Sequence, residues 1–147
     1  VVIMEEIRQP EIIFEDIPTV QENGAKYVKV SSQMTTDMLT DSMNKEALCG
    51  KTPEYTKLTE DGKLKTGSEI AINGSIKYII VVNGDVDCDG KVTFLGDVVM
   101  ANNYRIGQVK LNIMQQLAAD VNNSGTVDFI PDIVAMNNYR LGIIKSL

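Results

Sequence analysis

The chain has 147 residues, with 20 acidic against 14 basic side chains, no histidine and a net charge of −6. That balance argues against nucleic acid or an anionic membrane as partner, since both need a basic surface. Two cysteines and no histidine leave almost nothing for a zinc site or a disulfide framework. No apolar run approaches the roughly 18 residues of a membrane helix, and Val1 to Ile7 has neither the basic start nor the length of a secretion signal. The absence of an initiator methionine reads as a fragment or processed product of a longer protein.

In chain order, residues 1–26 carry short apolar pairs broken by Pro10, Pro18 and Glu22-Asn23-Gly24, which predicts an extended lead-in or an edge strand. The alternation in Y-V-K-V-S from Tyr27 predicts a strand. Thr35 to Lys45 then places Met38, Leu39 and Met43 near helical spacing behind a Thr cap. E-Y-T-K-L, a turn at Glu60-Asp61-Gly62-Lys63, and S-E-I-A-I follow, and Asn73-Gly74 joins the last of these to I-K-Y-I-I-V-V as a hairpin. Residues 27–82 are thus expected to form a small, strand-rich α+β module. Its carboxylates fall on turns and on the polar phase of strands. Tyr55 and Tyr78 would serve either as half-buried core or as a sugar-binding face.

Residues 83–147 are organised by a duplication. Asp85–Gly107 and Asp120–Gly142 align without a gap and are identical at 12 of 23 positions. Each copy starts as an acidic loop around a glycine and continues as a helix, with Gly107 and Gly142 placed as C-caps. Gln108 to Ala119, with Val109, Leu111, Met114 and Leu117 in helical phase, is expected to connect the copies as a helix.

A loop of the EF-hand kind surrounds calcium with oxygens from its first, third, fifth, seventh, ninth and twelfth residues, around a glycine at the sixth. The first copy supplies Asp85, Asp87, Asp89, the carbonyl of Lys91 and Thr93 through water, with Gly90 at the turn. The second supplies Asp120, Asn122, Ser124, the carbonyl of Thr126 and Asp128, with Gly125 at the turn. The strict twelfth positions are Gly96 and Pro131, which carry no side-chain oxygen; the acids stand one residue later, at Asp97 and Asp132. Both loops are therefore read as lengthened by one residue and closed by these aspartates at helix starts. Two Ca2+ are expected, the first loop binding more tightly on charge count. Magnesium, which prefers a tight octahedron and keeps its waters, suits the loops less well.

The motifs N-G-D-V-D-C-D-G-K-V-T, D-V-N-N-S-G-T-V-D, N-N-Y-R-I-G, N-N-Y-R-L-G and L-A-A-D resemble the dockerin domains of cellulosomes and related surface assemblies of anaerobic bacteria. The likeness covers about Gly84 to Leu147. It implies an all-α dockerin domain with two EF-hand-like loop-helix repeats, following the α+β module. It further implies calcium-dependent docking to a cohesin on a scaffold or cell surface, a monomer in the absence of that partner, and an extracellular setting. Matched to the family pattern, recognition would fall on Phe94, Leu95, Asn102 and Asn103, and on Phe129, Ile130, Asn137 and Asn138. The helix, the D-G-K turn, Thr66-Gly67 and the last apolar strand resemble the small modules that precede dockerins in clostridial extracellular proteins.

The leading expectation is a non-catalytic interaction module cut from a larger secreted protein. Its rivals are a calcium clamp that braces its own neighbour and a carbohydrate-binding adhesion fragment. No nucleophile with a base and no inward pair of carboxylates points to an enzyme. Cys49 and Cys88 are left either bridged or free.

Overall fold

The computed structural model describes residues 12–147; the first 11 residues of the expected lead-in lie outside the described residues. Five strands form one sheet in the order β1-β2-β5-β4-β3: β1 (Thr19–Glu22), β2 (Ala25–Val30), β3 (Glu54–Thr56), β4 (Glu69–Ile72) and β5 (Ser75–Val82). The central pair β2 and β5 is parallel and the remaining neighbours are antiparallel. The Asn73-Gly74 turn has positive φ at both residues, 54° and 81°, and joins β4 to β5 as the sequence predicts. Residues 19–22, inside the expected lead-in, form the edge strand β1.

Helix α1 (Thr36–Asp41) starts where Thr35 caps the backbone N–H of Met38, and a short α2 (Lys45–Leu48), not foreseen, follows it. Leu39, Met43 and Leu48 pack with Val28, Val30, Ile70, Ile80 and Val82 on one face of the sheet. Phe14 closes this core by meeting Tyr78 edge-on, with ring centroids 5.0 Å apart. Tyr78 is therefore buried, and Tyr55 is half-buried with its hydroxyl bonded to Thr40 at 2.7 Å.

The other face decides the architecture. Side chains alternate along a strand, so Tyr27, Lys29, Ile79 and Val81 point away from the first core. Tyr27 and Val81 join Val86, Val98, Ala101, Leu111, Ala118, Ala119, Ile133 and Met136 in a second core. The helices of the repeat, α3 (Met100–Arg105), α4 (Ile113–Ala119) and α5 (Ala135–Arg140), cover this face. The expected strand-rich module followed by an all-α domain is thus corrected: the described residues form one mixed α/β fold, with five strands and five α-helices among them, built around a sheet buried on both sides. The reason is visible in β5, whose continuous apolar run Ile79–Val82 has no solvent phase and needs a cover on each face. Asn83 and Gly84 cross between the units with bonds to both, Asn83 N–H to the Val30 carbonyl at 2.9 Å and Gly84 N–H to the Ala118 carbonyl at 2.8 Å.

Candidate metal centre

Each copy of the repeat begins its helix with a π-helical turn, Phe94–Val99 before α3 and Phe129–Val134 before α5. The amide of Val98 reaches the Thr93 carbonyl at 3.2 Å, and Ile133 reaches Asp128 at 3.2 Å, the five-residue spacing of a π turn. Such a turn holds one residue more than an α turn. It absorbs the extra position, Gly96 or Pro131, and keeps the closing acids Asp97 and Asp132 directed into their loops.

In the first loop Asp85, Asp87, Asp89 and Asp97 come together, each offering a carboxylate oxygen within 4.8 Å of the others. Oxygen ligands at about 2.3–2.6 Å from one ion stand no more than about 5 Å apart. The four aspartates could therefore hold a metal ion, and among the described residues they are the one such group of three or more acids or cysteines. Asp97 is fully buried and accepts N–H groups from Val86 at 2.7 Å, Asp87 at 3.0 Å and Thr93 at 2.6 Å. Asp85, also fully buried, accepts from Asp89, Gly90 and, outside the loop, Thr66 at 2.8 Å. Thr93 caps the π turn, its hydroxyl accepting from the Gly96 amide and donating to Asp97. Lys91 is exposed, its amide bonded to Asp89 at 2.8 Å.

Two glycines make this packing feasible. A Cβ on Gly96 would stand 2.2 Å from an oxygen of Asp87, so the missing side chain is the space that carboxylate occupies. Gly90, at φ +87°, lies so close to the turn before β4 that a Cβ would meet Thr59 at 2.6 Å.

Crowding carboxylates without a counterion raises their pKa. Burial, with Asp97 and Asp89 nearby, pushes Asp85 up to about 6. Burial and the neighbouring Asp89 and Asp97 push Asp87 up to about 7, and burial raises Asp97 as well. A divalent cation would relieve this repulsion.

The second loop folds alike with milder chemistry. Asp120 accepts from Ser124 N–H at 3.1 Å and Gly125 N–H at 2.8 Å, and the buried Asp132 accepts from Asn122 at 3.3 Å and Asp128 at 2.7 Å. The Ser124 hydroxyl, with one proton to give, stands 3.3 Å from Asp120 Oδ1 and 3.0 Å from the Thr126 carbonyl, while the Thr126 hydroxyl donates to Asp128 at 2.8 Å. Burial raises the Asp132 pKa, with Asp120 adding to it.

Of the residues matched to a recognition role, Phe94, Leu95, Phe129 and Ile130 lie on the π turns that close the loops, and the asparagines lie on the helices that follow. Phe94 and Leu95 are 47% and 77% exposed, Phe129 and Ile130 51% and 74%. Arg140 lies over the Phe94 ring at 5.0 Å and Arg105 over Phe129 at 5.1 Å, so each helix end covers the start of the other repeat. Asn102 and Asn137 hold these arginines through Oδ1, at 3.0 Å and 2.8 Å. The carbonyls of Asn103 and Asn138 accept from Gln108 and Ile143 in the glycine C-caps. Cys49 and Cys88 are both free.

No family model, curated protein or solved structure matches this chain. The chemistry of the site therefore rests on its own residues.

The roles of four residues escape sequence reasoning. Thr66 looks like part of a turn, and its reach to Asp85 depends on tertiary docking. Lys29 sits on the polar phase of β2, where a lysine normally faces water; here it is buried, its ammonium donating to the Asp120 carbonyl, and burial pushes its pKa down to about 8 against the opposing pull of Asp120 and Asp132. Arg105 and Arg140 carry a legible signal, their repetition in N-N-Y-R, but no spacing rule gives the ring each one covers.

Proposed function

We propose that the chain is a calcium-dependent protein-interaction module, not an enzyme, which anchors a larger secreted protein to a cohesin on a scaffold or cell surface. Two Ca2+ would occupy the duplicated loops, held by Asp85, Asp87, Asp89, the Lys91 carbonyl and Asp97, and by Asp120, Asn122, Ser124, the Thr126 carbonyl, Asp128 and Asp132. Calcium rather than magnesium suits this all-protein set of oxygens. The metal's role would be to fix the π turns that carry Phe94, Leu95, Phe129 and Ile130.

One observation carries the reading. Of the ten large apolar side chains exposed among the described residues, six lie in the repeat, in matching positions of its two halves: Phe94 and Phe129, Leu95 and Ile130, Ile106 and Leu141. Apolar surface concentrated in this way marks an interaction site. The test is titration calorimetry of the whole chain against a panel of purified cohesin domains. Binding in calcium that disappears in chelator, and that fails in Leu95→Asp combined with Ile130→Asp, is expected. No binding to any cohesin in calcium would overturn the anchoring role.

The shared core of the sheet and the repeat favours a second reading, a calcium brace that stabilises its own fold. Under it, chelation lowers the melting temperature of the whole chain while the exposed apolar pairs can be replaced without consequence.

A further inference from the structure

The two loops differ in what the sheet presents to them. The first receives a neutral donor, the Thr66 N–H on Asp85. The second receives a cation: Lys29, on β2 and 2% exposed, donates through Nζ to the carbonyl of Asp120. We propose that Lys29 sets the affinity of the second loop, supplying a positive charge of the fold's own that lowers that loop's affinity for a divalent cation, so that the first loop fills first. The inference rests on the calcium reading above and extends it to the order of binding.

Three observations converge on it. The first loop gathers four carboxylates, whereas the second replaces two of them with Asn122 and Ser124 and adds Asp128 at its edge. The polar groups of the second loop already engage one another, Ser124 giving its one hydroxyl proton to Asp120 or to the Thr126 carbonyl and Thr126 donating to Asp128. The strand fixes the backbone of Lys29, since its neighbours Val28 and Val30 are held in the opposite core, and keeps the root of the side chain beside the second loop. A buried unit charge beside an ion site repels the incoming charge at short range and low dielectric, so an effect on the order of tenfold in affinity is expected. Sequence alone suggests the same order from the carboxylate count; the lysine adds a separate cause that can be removed independently.

The decisive variant is Lys29→Met, which keeps the length of the side chain and removes its charge. It is placed in an Asp89→Ala background to weaken the first loop, and calcium binding is followed by titration calorimetry. About tenfold tighter binding than in Asp89→Ala alone is expected, with Lys29→Arg leaving the affinity near its starting value. Unchanged or weaker binding in Lys29→Met overturns the proposal. Should that variant not fold, Lys29→Gln in the same background decides by the same measurement and criterion; in the unsubstituted chain, on adding calcium, the amide resonance of Gly90 should shift before that of Gly125. Simultaneous filling, or Gly125 first, overturns the order. No calcium binding at either loop removes the calcium reading itself, an outcome distinct from both.

Discussion

The two acidic loops are copies in sequence and unequal in surroundings. In the first, Asp85 and Asp97 are fully buried, Gly90 is wedged against the turn before β4, and Asp87 fills the space left by Gly96. In the second, Gly125 faces open space and the residue opposite Gly96 is the exposed Pro131. The difference teaches that a duplicated segment encodes its own turn and helix start, while the strands it docks against decide how tightly each copy is sealed and with what charge.

The closing acids offer the largest way to break this comparison. Asp97→Ala removes the acceptor of three N–H groups at 2.6–3.0 Å and leaves them buried without partners. Stranded donors cost about 1–3 kcal/mol each, so a loss of about 3 kcal/mol or more is expected in calcium. Asp132→Ala loses the bonds from Asn122 and Asp128, at 3.3 and 2.7 Å, and a weaker one from Val121, and should cost somewhat less, about 2 kcal/mol. Urea unfolding of both variants measures the gap, and equal losses would show that sealing by the sheet does not matter.

Next in size is the dependence on pH. Asp85 and Asp87 hold their protons more tightly when folded, with values near 6 and 7. In the metal-free chain the folded state then binds more protons than the unfolded one between the ordinary aspartate range and about pH 7, so stability is highest at the acid end of that window and falls as pH rises through it. A cation must displace the same protons, so first-loop affinity should rise with pH by up to about a hundredfold per unit below pH 6, where both groups are protonated, and by up to about tenfold per unit between pH 6 and 7. Calorimetric titrations at pH 5.5, 6.5 and 7.5 check both the sign and the slope. A flat profile would mean that the carboxylates are ionised before the metal arrives.

Much of the fold is legible in the sequence where local chemistry suffices. The Thr35 cap, the Asn73-Gly74 hairpin, the glycine C-caps and the acidic loops all follow from residues within one turn of each other. The offset of Asp97 and Asp132 even signals the lengthened loop, which the chain resolves as a π turn. What stays hidden is long-range. The parallel pairing of β2 with β5 joins residues some fifty positions apart, and nothing in Y-V-K-V marks Lys29 as buried until α4 and the second loop cover it. The apolar run Ile79–Val82 was the available clue that the sheet needs two covers, and it argues directly against separating the repeat as an independent all-α unit.

Thr66 offers a smaller and more selective probe. Its hydroxyl accepts from the Val82 amide at 3.1 Å and its own N–H holds Asp85. Thr66→Val keeps the shape, strands one buried amide and loosens that segment, for a cost of about 1–2 kcal/mol. Calcium affinity should fall at the first loop alone, read from the amide resonance of Gly90 with Gly125 as the internal reference. An equal change at both glycines would make the sheet a general support and erase the distinction between the loops.

The smallest effect lies on the outer surface, where the halves are alike. Arg140 over Phe94 and Arg105 over Phe129 stand at 5.0 and 5.1 Å, and each is held by the asparagine three residues before it. Exposed cation–π contacts contribute about 0.5–1 kcal/mol, so Arg140→Ala and Arg105→Ala should each lower stability by about 0.5 kcal/mol, and by the same amount. That equality carries information because the acidic loops beneath are unequal. If the two substitutions differ clearly in thermal unfolding, the asymmetry of the sheet side reaches the outer face and the two exposed surfaces are not equivalent. If they match, the asymmetry stops at the loops, and a partner would meet two interchangeable apolar faces above two loops that are not interchangeable.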